Sequence, residues 1–425
     1  MSATPGPMAP VAACGIDFGT SNSTAGWSRP GQPALLALEG DKLTLPSVIF
    51  FHAEDAHVSY GRAALADYLE GHEGRMMRSL KSLLGTSMMD EHTEVGGRAV
   101  PFKGLLAQFI GELKRRAEAA AGQGFSRAVL GRPVFFVDDD AAADQRAQDT
   151  LETIARHTGL RDIAFQYEPI AAAFHYESQI SREQLVLVVD IGGGTSDFTL
   201  IRVGPERAKR IERRDDILAS GGVHIGGTDF DKALNLKTMM PRLGLGSLLK
   251  NGREMPSAQY FNLATWHTIN QAYTKKAWSQ IAELHRDAAD KPSLERLQSV
   301  VRERAGHWLA LQVEAAKIEL SDAAVAPVDI GRIAAGETVT LHRTEFNQAI
   351  DALVTSIQQT VTRLLRDAGV RAESIDTVFF TGGSSGVPLL RERVLSLAPR
   401  ARCVEGDLFG SIGAGLALDA QRKFA

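Results

Sequence analysis

The feature that most constrains this chain is an apolar run that ends in an aspartate and three glycines, within Leu185–Leu200. Leu185–Val189 is typical of a buried strand, and Phe198–Val203 resumes as a second strand. Gly192–Gly194 therefore lie in a tight turn between paired strands. Glycine permits positive φ and close approach of the backbone to a ligand, and successive bare N–H groups form an anion-binding nest. The pattern predicts a hairpin whose turn can hold an anion.

Two aspartates, Asp190 and Asp197, flank this turn and would repel a bound phosphate. Their presence is explained if a divalent cation lies between carboxylate and phosphate, directly or through waters. Mg²⁺ usually keeps several waters and takes one or two carboxylates together with phosphate oxygens. The alternative is an ordinary glycine-turn hairpin with two solvated aspartates.

A similar pattern stands near the N-terminus, in Val11–Thr24. Asp17 follows a short apolar strand as Asp190 does, and Gly19-Thr20-Ser21 corresponds in kind to Gly194-Thr195-Ser196. Two such loops about one domain apart indicate an internal duplication. The simplest arrangement is two similar lobes that each offer a hairpin to one polyphosphate, held in the cleft between them.

Composition narrows the class of protein. A chain of 425 residues has room for at least two domains, and its formal charge of −4 argues against a general nucleic-acid surface. Cys14 and Cys403 make neither a disulfide framework nor a zinc site. We expect no signal peptide in the first ten residues, no membrane span, and a cytoplasmic protein. No Gly-x-x-x-x-Gly-Lys-[Ser/Thr] occurs, so a Walker-type P-loop is excluded.

The remaining pattern predicts an alternation of strands and helices. Strands are expected at 45–51, 128–137 (interrupted by Pro133) and 162–166, and a helix or turn at 75–85. Helices are expected at 61–69, 103–121, 144–157, 309–320 and 344–368, with a mainly helical stretch at 232–309.

Four motifs in one order resemble a known family. They are Gly15-Ile-Asp-Phe-Gly-Thr-Ser-Asn-Ser23, Asp190-Ile-Gly-Gly-Gly-Thr-Ser-Asp197, His224-Ile-Gly-Gly-Thr-Asp-Phe-Asp231 and Lys317-Ile-Glu-Leu-Ser321. Together they are similar to the nucleotide-binding domain of the Hsp70 chaperones, within the actin and sugar-kinase ATPase superfold. Within that family the likeness is greatest to the short bacterial type called YegD. The resemblance covers roughly residues 13–232 and 310–418.

The resemblance implies an α/β fold of two duplicated actin-like (ribonuclease H-like) lobes around a nucleotide cleft. Lobe I would comprise residues 1–185 with an insertion at about 45–100. Lobe II would comprise residues 186–425 with a helical insertion at about 232–309. A C-terminal helix at about 410–422 would pack back on lobe I.

The resemblance also implies ATP or ADP and Mg²⁺ as cofactors. Asp17 and Asp190 would hold the metal, largely through waters, and the catalytic groups would be Lys81, Glu168, Asp190 and Asp197. Nucleotide-binding positions would be Gly19, Thr20, Ser21, Asn22, Gly192, Gly193, Gly194, Thr195, Gly226, Gly227, Glu314, Lys317, Ser321, Gly382, Gly383 and Ser384.

This chain departs from the family at three places. Gly386 stands where an arginine usually stacks on adenine, which implies a weaker or different grip on the base. Gly131-Arg132 and the acidic residues after Pro133 put in doubt whether Pro133 and Arg146 act as the family's switch. The sequence ends at Ala425, and we expect no linker and no peptide-binding domain.

Four functions remain open from the sequence. The first is a slow Mg-dependent ATPase related to chaperones, and the second is an ATP- or ADP-gated binding protein that uses segment 232–309 to dock an unknown protein. The third is a small-molecule kinase with a base among Asp138–Asp140, and the fourth is a filament. A monomer without nucleic-acid or membrane partners is expected over a filament.

Overall fold

The computed structural model describes residues 12–54, 57–95, 97–137, 140–407 and 410–424. Its elements confirm the expected α/β class. The strands, in chain order, are β1 Ala13–Asp17, β2 Asn22–Gly26, β3 Thr44–Pro46, β4 Val48–His52, β5 Val58–Tyr60, β6 Gly74–Arg78, β7 His92–Val95, β8 Arg98–Pro101, β9 Arg127–Arg132, β10 Asp162–Tyr167, β11 Gln184–Ile191, β12 Ser196–Val203, β13 Ile217–Val223, β14 Val325–Asp329, β15 Thr338–His342, β16 Thr377–Thr381 and β17 Arg402–Glu405.

Helices connect these strands and fill most of residues 224–322. The α-helices, in chain order, are α1 Gly61–Glu70, α2 Phe102–Ala121, α3 Ala141–His157, α4 Glu168–Glu177, α5 Pro205–Ala208, α6 Gly227–Thr238, α7 Ala258–Ala264, α8 Lys275–Asp287, α9 Lys291–Arg302, α10 Gly306–Asp322, α11 Arg343–Asp367, α12 Pro388–Leu397 and α13 Ser411–Phe424. Short 3-10 turns lie at Leu80–Leu83, Ser87–Asp90, Arg214–Asp216, Met240–Leu243, Trp266–Tyr273 and Ala372–Ser374.

Two five-stranded sheets in the described residues share one topology. Their strand orders are β3-β2-β1-β9-β10 and β13-β12-β11-β16-β17. In each sheet the first three strands in sequence are antiparallel neighbours, and two further strands then add in parallel beside the first. The strand order therefore repeats, as an internal duplication would require.

The chain separates into two compact units. One contains the described residues of Met1–Val223, Val361–Ser385 and Leu397–Ala425, and the other contains His224–Thr360 and Gly386–Ser396. Both five-stranded sheets belong to the first unit. The division into lobes at residue 185 that the sequence suggests stays a prediction.

Helix α13 packs closely on β1 and α4 through small residues. A Cβ at Gly15 of β1 would overlap the backbone of Leu416 and Ala417, and one at Gly415 would overlap the carbonyl of Ala171. Only glycine permits backbones to approach so closely. The small-residue pattern of the C-terminal helix is thus explained by packing.

A buried ionic network joins α4 to the loop before β13 within the first unit. Arg213 donates two hydrogen bonds of 2.9 Å to Glu177 and also pairs with Asp216. The side chains of Arg213, Glu177 and Asp216 are at most 2% exposed. Such a network requires full pairing, because a buried charge without its partner is costly.

A smaller sheet of order β5-β4-β6 packs against α1. Val48 and Phe50 form its own cluster with Ala64 of α1, and Met76 of β6 packs against them. The stretch 75–85, for which the sequence allowed a helix or a turn, is divided: residues 75–78 belong to β6, and Leu80–Leu83 form a 3-10 turn. Residues 75–78 form a strand because they pair with β4, and no local sequence pattern indicates this pairing.

The second unit is mainly helical, with the hairpin β14–β15 packed against α10. Phe230, Leu234, Tyr260, Leu297 and Val313 are buried in its interior. Helices α6 to α10 and two 3-10 turns fill most of residues 232–309, which confirms the helical content expected there. None of the described helices combines the length and apolar character that a membrane crossing requires.

Candidate functional site

The first hairpin carries Asp17 at the end of β1. Asp17 pairs in register with Thr24 of β2 and is buried. The turn between them contains Gly19, where an added Cβ would overlap the carbonyl oxygen of Asn22. The turn is therefore so tight that only glycine fits at position 19.

The second hairpin carries Asp190 opposite Asp197, at the last pairs of β11 and β12. The N–H of Gly192 donates to the carbonyl of Thr195 at 2.9 Å, which closes the glycine turn. The hydroxyl of Thr195 donates to Asp197 at 2.9 Å. The turn thus holds both a hydroxyl and a carboxylate in fixed positions.

The two hairpin turns meet. A Cβ added at Gly193 would overlap the hydroxyl of Ser21, so the backbone of one turn lies against a side chain of the other. A Cβ added at Gly194 would meet no atom within 4 Å, and Gly194 is exposed. The structure therefore brings together the two loops that the sequence placed about one domain apart.

Lys81 and Glu168 lie beside the aspartates. The ammonium of Lys81 donates to Glu168 at 2.6 Å, and the two side chains are only 11% and 14% exposed. Lys81 lies on the 3-10 turn after Ser79, whose φ of 58° is left-handed. Serine rarely adopts this conformation. Ser79 therefore lies in a strained conformation immediately before the 3-10 turn that carries Lys81.

Gly131 of β9 connects this pair to Asp17. A Cβ built there would lie 3.4 Å from Glu168 Cγ and 3.6 Å from Asp17 Oδ1. Asp17, Glu168 and Lys81 are therefore neighbours, although they come from β1, the start of α4 and the turn after β6. Nothing in local sequence spacing would place them together.

Burial perturbs the acidic groups strongly. Burial, followed by repulsion from Glu168, raises the pKa of Asp17 to about 7, against partial compensation by Lys81. Burial, followed by repulsion from Asp197, Glu168 and Asp17, raises the pKa of Asp190 to about 8. Burial alone would lower the pKa of Lys81, but the surrounding carboxylates outweigh burial and raise it.

The charges at this site do not balance. Three carboxylates, those of Asp17, Glu168 and Asp190, act on the ammonium group of Lys81, and Asp197 acts on Asp190. Burial first, and then repulsion among these carboxylates, raises the pKa of Asp17 and Asp190. A divalent cation would relieve that repulsion and restore the ionised form of both aspartates. Oxygen ligands of this kind suit Mg²⁺. The donor set therefore fits the implied metal.

Gly382, one of the predicted nucleotide-binding positions, lies next to Asp190. Gly382, at φ +82°, follows β16, and a Cβ there would overlap Asp190 Oδ1 and approach Ile191 O to 2.6 Å. The N–H of Ser384 donates to that same Ile191 carbonyl at 3.0 Å, while Gly383 is exposed. Two of these predicted nucleotide-binding positions, Gly382 and Ser384, thus contact the end of β11.

The other predicted nucleotide residues lie in the second unit. Gly226 caps α6, which begins at Gly227. On α10, Lys317 is buried in an ion pair of 2.8 Å with Asp231 and lies 3.5 Å from the Gly227 carbonyl. The remaining two, Glu314 and Ser321, are half-buried on the same helix. Their nucleotide contacts stay a prediction.

Sequence reasoning missed the arginine that organises the region around Pro133. Arg132 is buried, donates to the Pro133 carbonyl at 3.0 Å, and pairs with Asp144 at 2.7 Å and Gln148 at 2.5 Å. Arg146, the predicted switch partner, is exposed. A buried arginine at the end of a strand has no signature in sequence until its carboxylate partner is known.

Several further expectations are not settled by this geometry. The first ten residues and the acidic residues Asp138 and Asp139 lie outside the described residues. The expected monomer and the absence of nucleic-acid partners stay predictions. So does the cytoplasmic location.

Comparison with known proteins gives one consistent result. The profile of the family described as Hsp70 protein matches residues 13–239 and 291–419. Chaperone protein HscA of Cronobacter sakazakii is 30% identical over 430 residues, and those of Klebsiella pneumoniae strain 342 and Citrobacter koseri are 29% and 28% identical. Each alignment covers 96% of this chain and 58% of the relative, so the chain spans a little over half the length of the relatives it matches.

The likeness to the YegD type is not tested by these relatives and stays a prediction. The matched segments contain both hairpins, the Lys81–Glu168 pair and the glycine motif after β16. The chain belongs to the Hsp70 family.

Proposed function

We propose that this chain is a slow, Mg-dependent ATPase related to chaperones, with the phosphates of ATP bound at its two hairpin turns. In this proposal the two five-stranded sheets are the cores of two actin-like lobes around a nucleotide cleft. One observation carries it: Asp17 and Asp190, on the strands that lead into the two touching turns, lie near each other and near the Lys81–Glu168 pair. Family membership supports the same assignment.

The backbone of both turns would bind the phosphates. Gly194 and Thr195 offer N–H groups at the tip of the glycine turn, which the Gly192–Thr195 hydrogen bond closes, and the hydroxyls of Thr20 and Ser21 add further donors. Asp17 and Asp190 would hold Mg²⁺, largely through waters. Mg²⁺, when bound, supplies neutralisation of the charge on the phosphate oxygens.

The carboxylates and Lys81 would serve hydrolysis. A water oxygen forms a bond to the γ-phosphorus as the bond to the bridging oxygen of ADP breaks, and the water proton passes to Asp190 or Asp197. Lys81 offsets charge that spreads over the γ-oxygens. Glu168, in contact with Lys81 at 2.6 Å, fixes the position of that ammonium group.

Single-turnover hydrolysis of γ-labelled ATP, with and without Mg²⁺, tests this proposal. Phosphate release should require the metal, and Lys81→Ala and Asp190→Asn should each lower its rate by about 10²-fold or more, since each removes transition-state stabilisation or a proton acceptor. Lys103→Ala is the matched control, because Lys103 makes a similar lysine–carboxylate pair, of 2.6 Å with Asp90, in a half-exposed position.

Two results would contradict the proposal. Turnover that is unchanged in Lys81→Ala would remove this lysine from the chemistry. Failure of the unmodified protein to bind ATP in equilibrium dialysis, with or without Mg²⁺, would remove the nucleotide site itself.

A second candidate is a nucleotide-gated binding protein that hydrolyses little. It is favoured by the gap in the family match: residues 240–290 lie between the two matched segments. This region exposes Phe261 and Trp278, at 47% and 39%. If it docks a protein, recovery of that protein should differ between the ATP and ADP states, and equal recovery in both would count against this function.

A further inference from the structure

A cluster of histidines and carboxylates lies on the small sheet of β5-β4-β6 and α1, among residues 52–72. Ligand atoms of Asp67, Glu70 and His72 all lie within 4.8 Å of one another. His72 Nε2 is 3.5 Å from Glu70, and His52 Nε2 is 3.0 Å from Asp67 Oδ2. The ring of His57 is 5.1 Å from that of His52. Three of the eleven histidines of the chain thus converge here.

Local backbone structure places the three closest ligands. Asp67 and Glu70 lie one turn apart on the same side of α1. Gly71 ends the helix at φ 85°, and the N–H of His72 donates to the Asp67 carbonyl at 3.1 Å. The chain therefore turns back so that the ring of His72 returns to the end of α1.

The fourth group is held by the sheet. His52 ends β4, its N–H donates to the His57 carbonyl at 3.0 Å, and its ring lies edge-on to that of Phe50 at 4.7 Å. Phe50 is completely buried, so His52 is mounted on the core of this small sheet. Its side chain is 13% exposed, whereas His72 is 51% exposed. The cluster is anchored on one side and open to solvent on the other.

We propose that Asp67, Glu70 and His72 bind a first-row transition-metal ion such as Zn²⁺, with His52 orienting the carboxylate of Asp67. A hydrogen bond from an imidazole to a ligating carboxylate is a common outer-shell arrangement around such ions. One imidazole and two carboxylates leave further coordination positions open to water or to His57. The bound ion joins the end of α1 to the loop before β6.

The ligand types select the class of ion. Imidazole suits Zn²⁺, Cu²⁺ and Ni²⁺, whereas Mg²⁺ prefers oxygen ligands and keeps its waters. The site therefore differs in chemistry from the all-carboxylate group around Asp190. None of its residues belongs to the two hairpins.

Calorimetric titration of the full chain with Zn²⁺, in excess Mg²⁺, tests this proposal. We expect one equivalent bound with a submillimolar dissociation constant. Glu70→Gln, at a position 69% exposed, and the double variant Asp67→Asn/His72→Gln should each weaken binding about tenfold or more. His52→Gln should weaken it by about 10- to 100-fold, the usual effect of losing an outer-shell partner.

A second readout and two controls separate this site from others. Co²⁺ bound here should give a visible absorption band that is lost in Glu70→Gln. Asp190→Asn, at the hairpin site, should keep full Zn²⁺ affinity. His285→Gln should also keep it, since His285 lies on α8, outside this cluster, and pairs with Glu295 at 3.7 Å.

Three outcomes would overturn the proposal. They are the absence of saturable Zn²⁺ binding in excess Mg²⁺, undiminished affinity in Glu70→Gln together with the double variant, and loss of the bound Zn²⁺ to equimolar Mg²⁺. Because Glu70 is largely exposed, its substitution leaves the fold in place, and a negative result in that variant cannot be assigned to unfolding.

Discussion

Replacement of Gly194 by alanine separates the two reasons for which a chain keeps glycine in a turn. The new Cβ meets no protein atom within 4 Å, so no packing of the folded chain opposes it. Alanine also restricts the unfolded chain, which stabilises by about 0.4–1 kcal/mol where the native conformation accepts it. We therefore expect the free energy of unfolding in urea to stay level or to rise within that range.

Nucleotide binding should respond in the opposite direction. If phosphate approaches the bare backbone of this turn, the added methyl group occupies that space and separates the N–H donors from the anion. We expect the dissociation constant for ATP to rise about tenfold or more, which corresponds to about 1.4 kcal/mol of binding free energy. Calorimetry with the unmodified protein and the variant in the same buffer measures it.

Gly124→Ala is the matched control. Gly124 is an exposed loop glycine whose added Cβ would lie 3.6 Å from Glu118 Oε1, and it is not part of either hairpin. It should leave ATP affinity unchanged, and its stability should stay level or rise in the same range as that of Gly194→Ala. Unchanged ATP affinity in Gly194→Ala would refute the reasoning, and so would a large loss of stability, since the structure offers no clash to cause one.

Three further predictions concern stability. Arg213→Met removes the ion pair of Glu177, which is 2% exposed, and should cost about 3–5 kcal/mol of unfolding free energy in urea. Arg182→Met, at a side chain 68% exposed, should cost at most about 1 kcal/mol, and equal costs would contradict the role of burial. Gly382→Ala should lower the free energy of unfolding for two reasons: alanine at a left-handed φ costs about 1–2 kcal/mol, and the forced contacts cost about 1–3 kcal/mol more. Gly122→Ala, at φ +69° with nothing within 4 Å of the added Cβ, should show only the cost of the left-handed φ. Without Mg²⁺ and nucleotide, the free energy of unfolding should fall as pH rises from about 4 to about 8. The pKa of Asp190 is about 8 in the folded chain against an ordinary value of 3.8, so the folded chain binds more protons than the unfolded chain over this range. Urea titrations should show a shallower fall in Asp190→Asn, and an identical pH profile would exclude Asp190 as the cause.

The two hairpins could be predicted from sequence because each is a local object. An apolar run, an aspartate, and a glycine turn followed by a second strand are contiguous, and the structure places β1–β2 and β11–β12 where the pattern indicated. Lys81 could not be predicted from a local pattern. Its sequence surroundings are also those of a solvated surface lysine, and only the resemblance to a family points to it. Its contact with Glu168 joins residues 87 positions apart.

The features that sequence reasoning missed are non-local in the same way. Arg132 looks like an interruption of a strand, yet it is a buried donor to Asp144 and to the Pro133 carbonyl. Residues 75–78 carry no alternation that separates a strand from a helix, and pairing with β4 decides their conformation. A pattern in one segment cannot reveal a partner that topology supplies from another.

The repeated topology explains why two aspartates at one site require glycines from two other strands. In each sheet an acidic residue stands at the last or next-to-last position of the first strand, and the parallel neighbour, β9 or β16, ends beside it. At that point each neighbour presents a glycine: Gly131 lies beside Asp17, and Gly382 lies against Asp190. A side chain at either position would fill the space around the carboxylate. The repeated topology therefore comes with a repeated environment, because in each sheet a glycine lies beside the aspartate of the first strand.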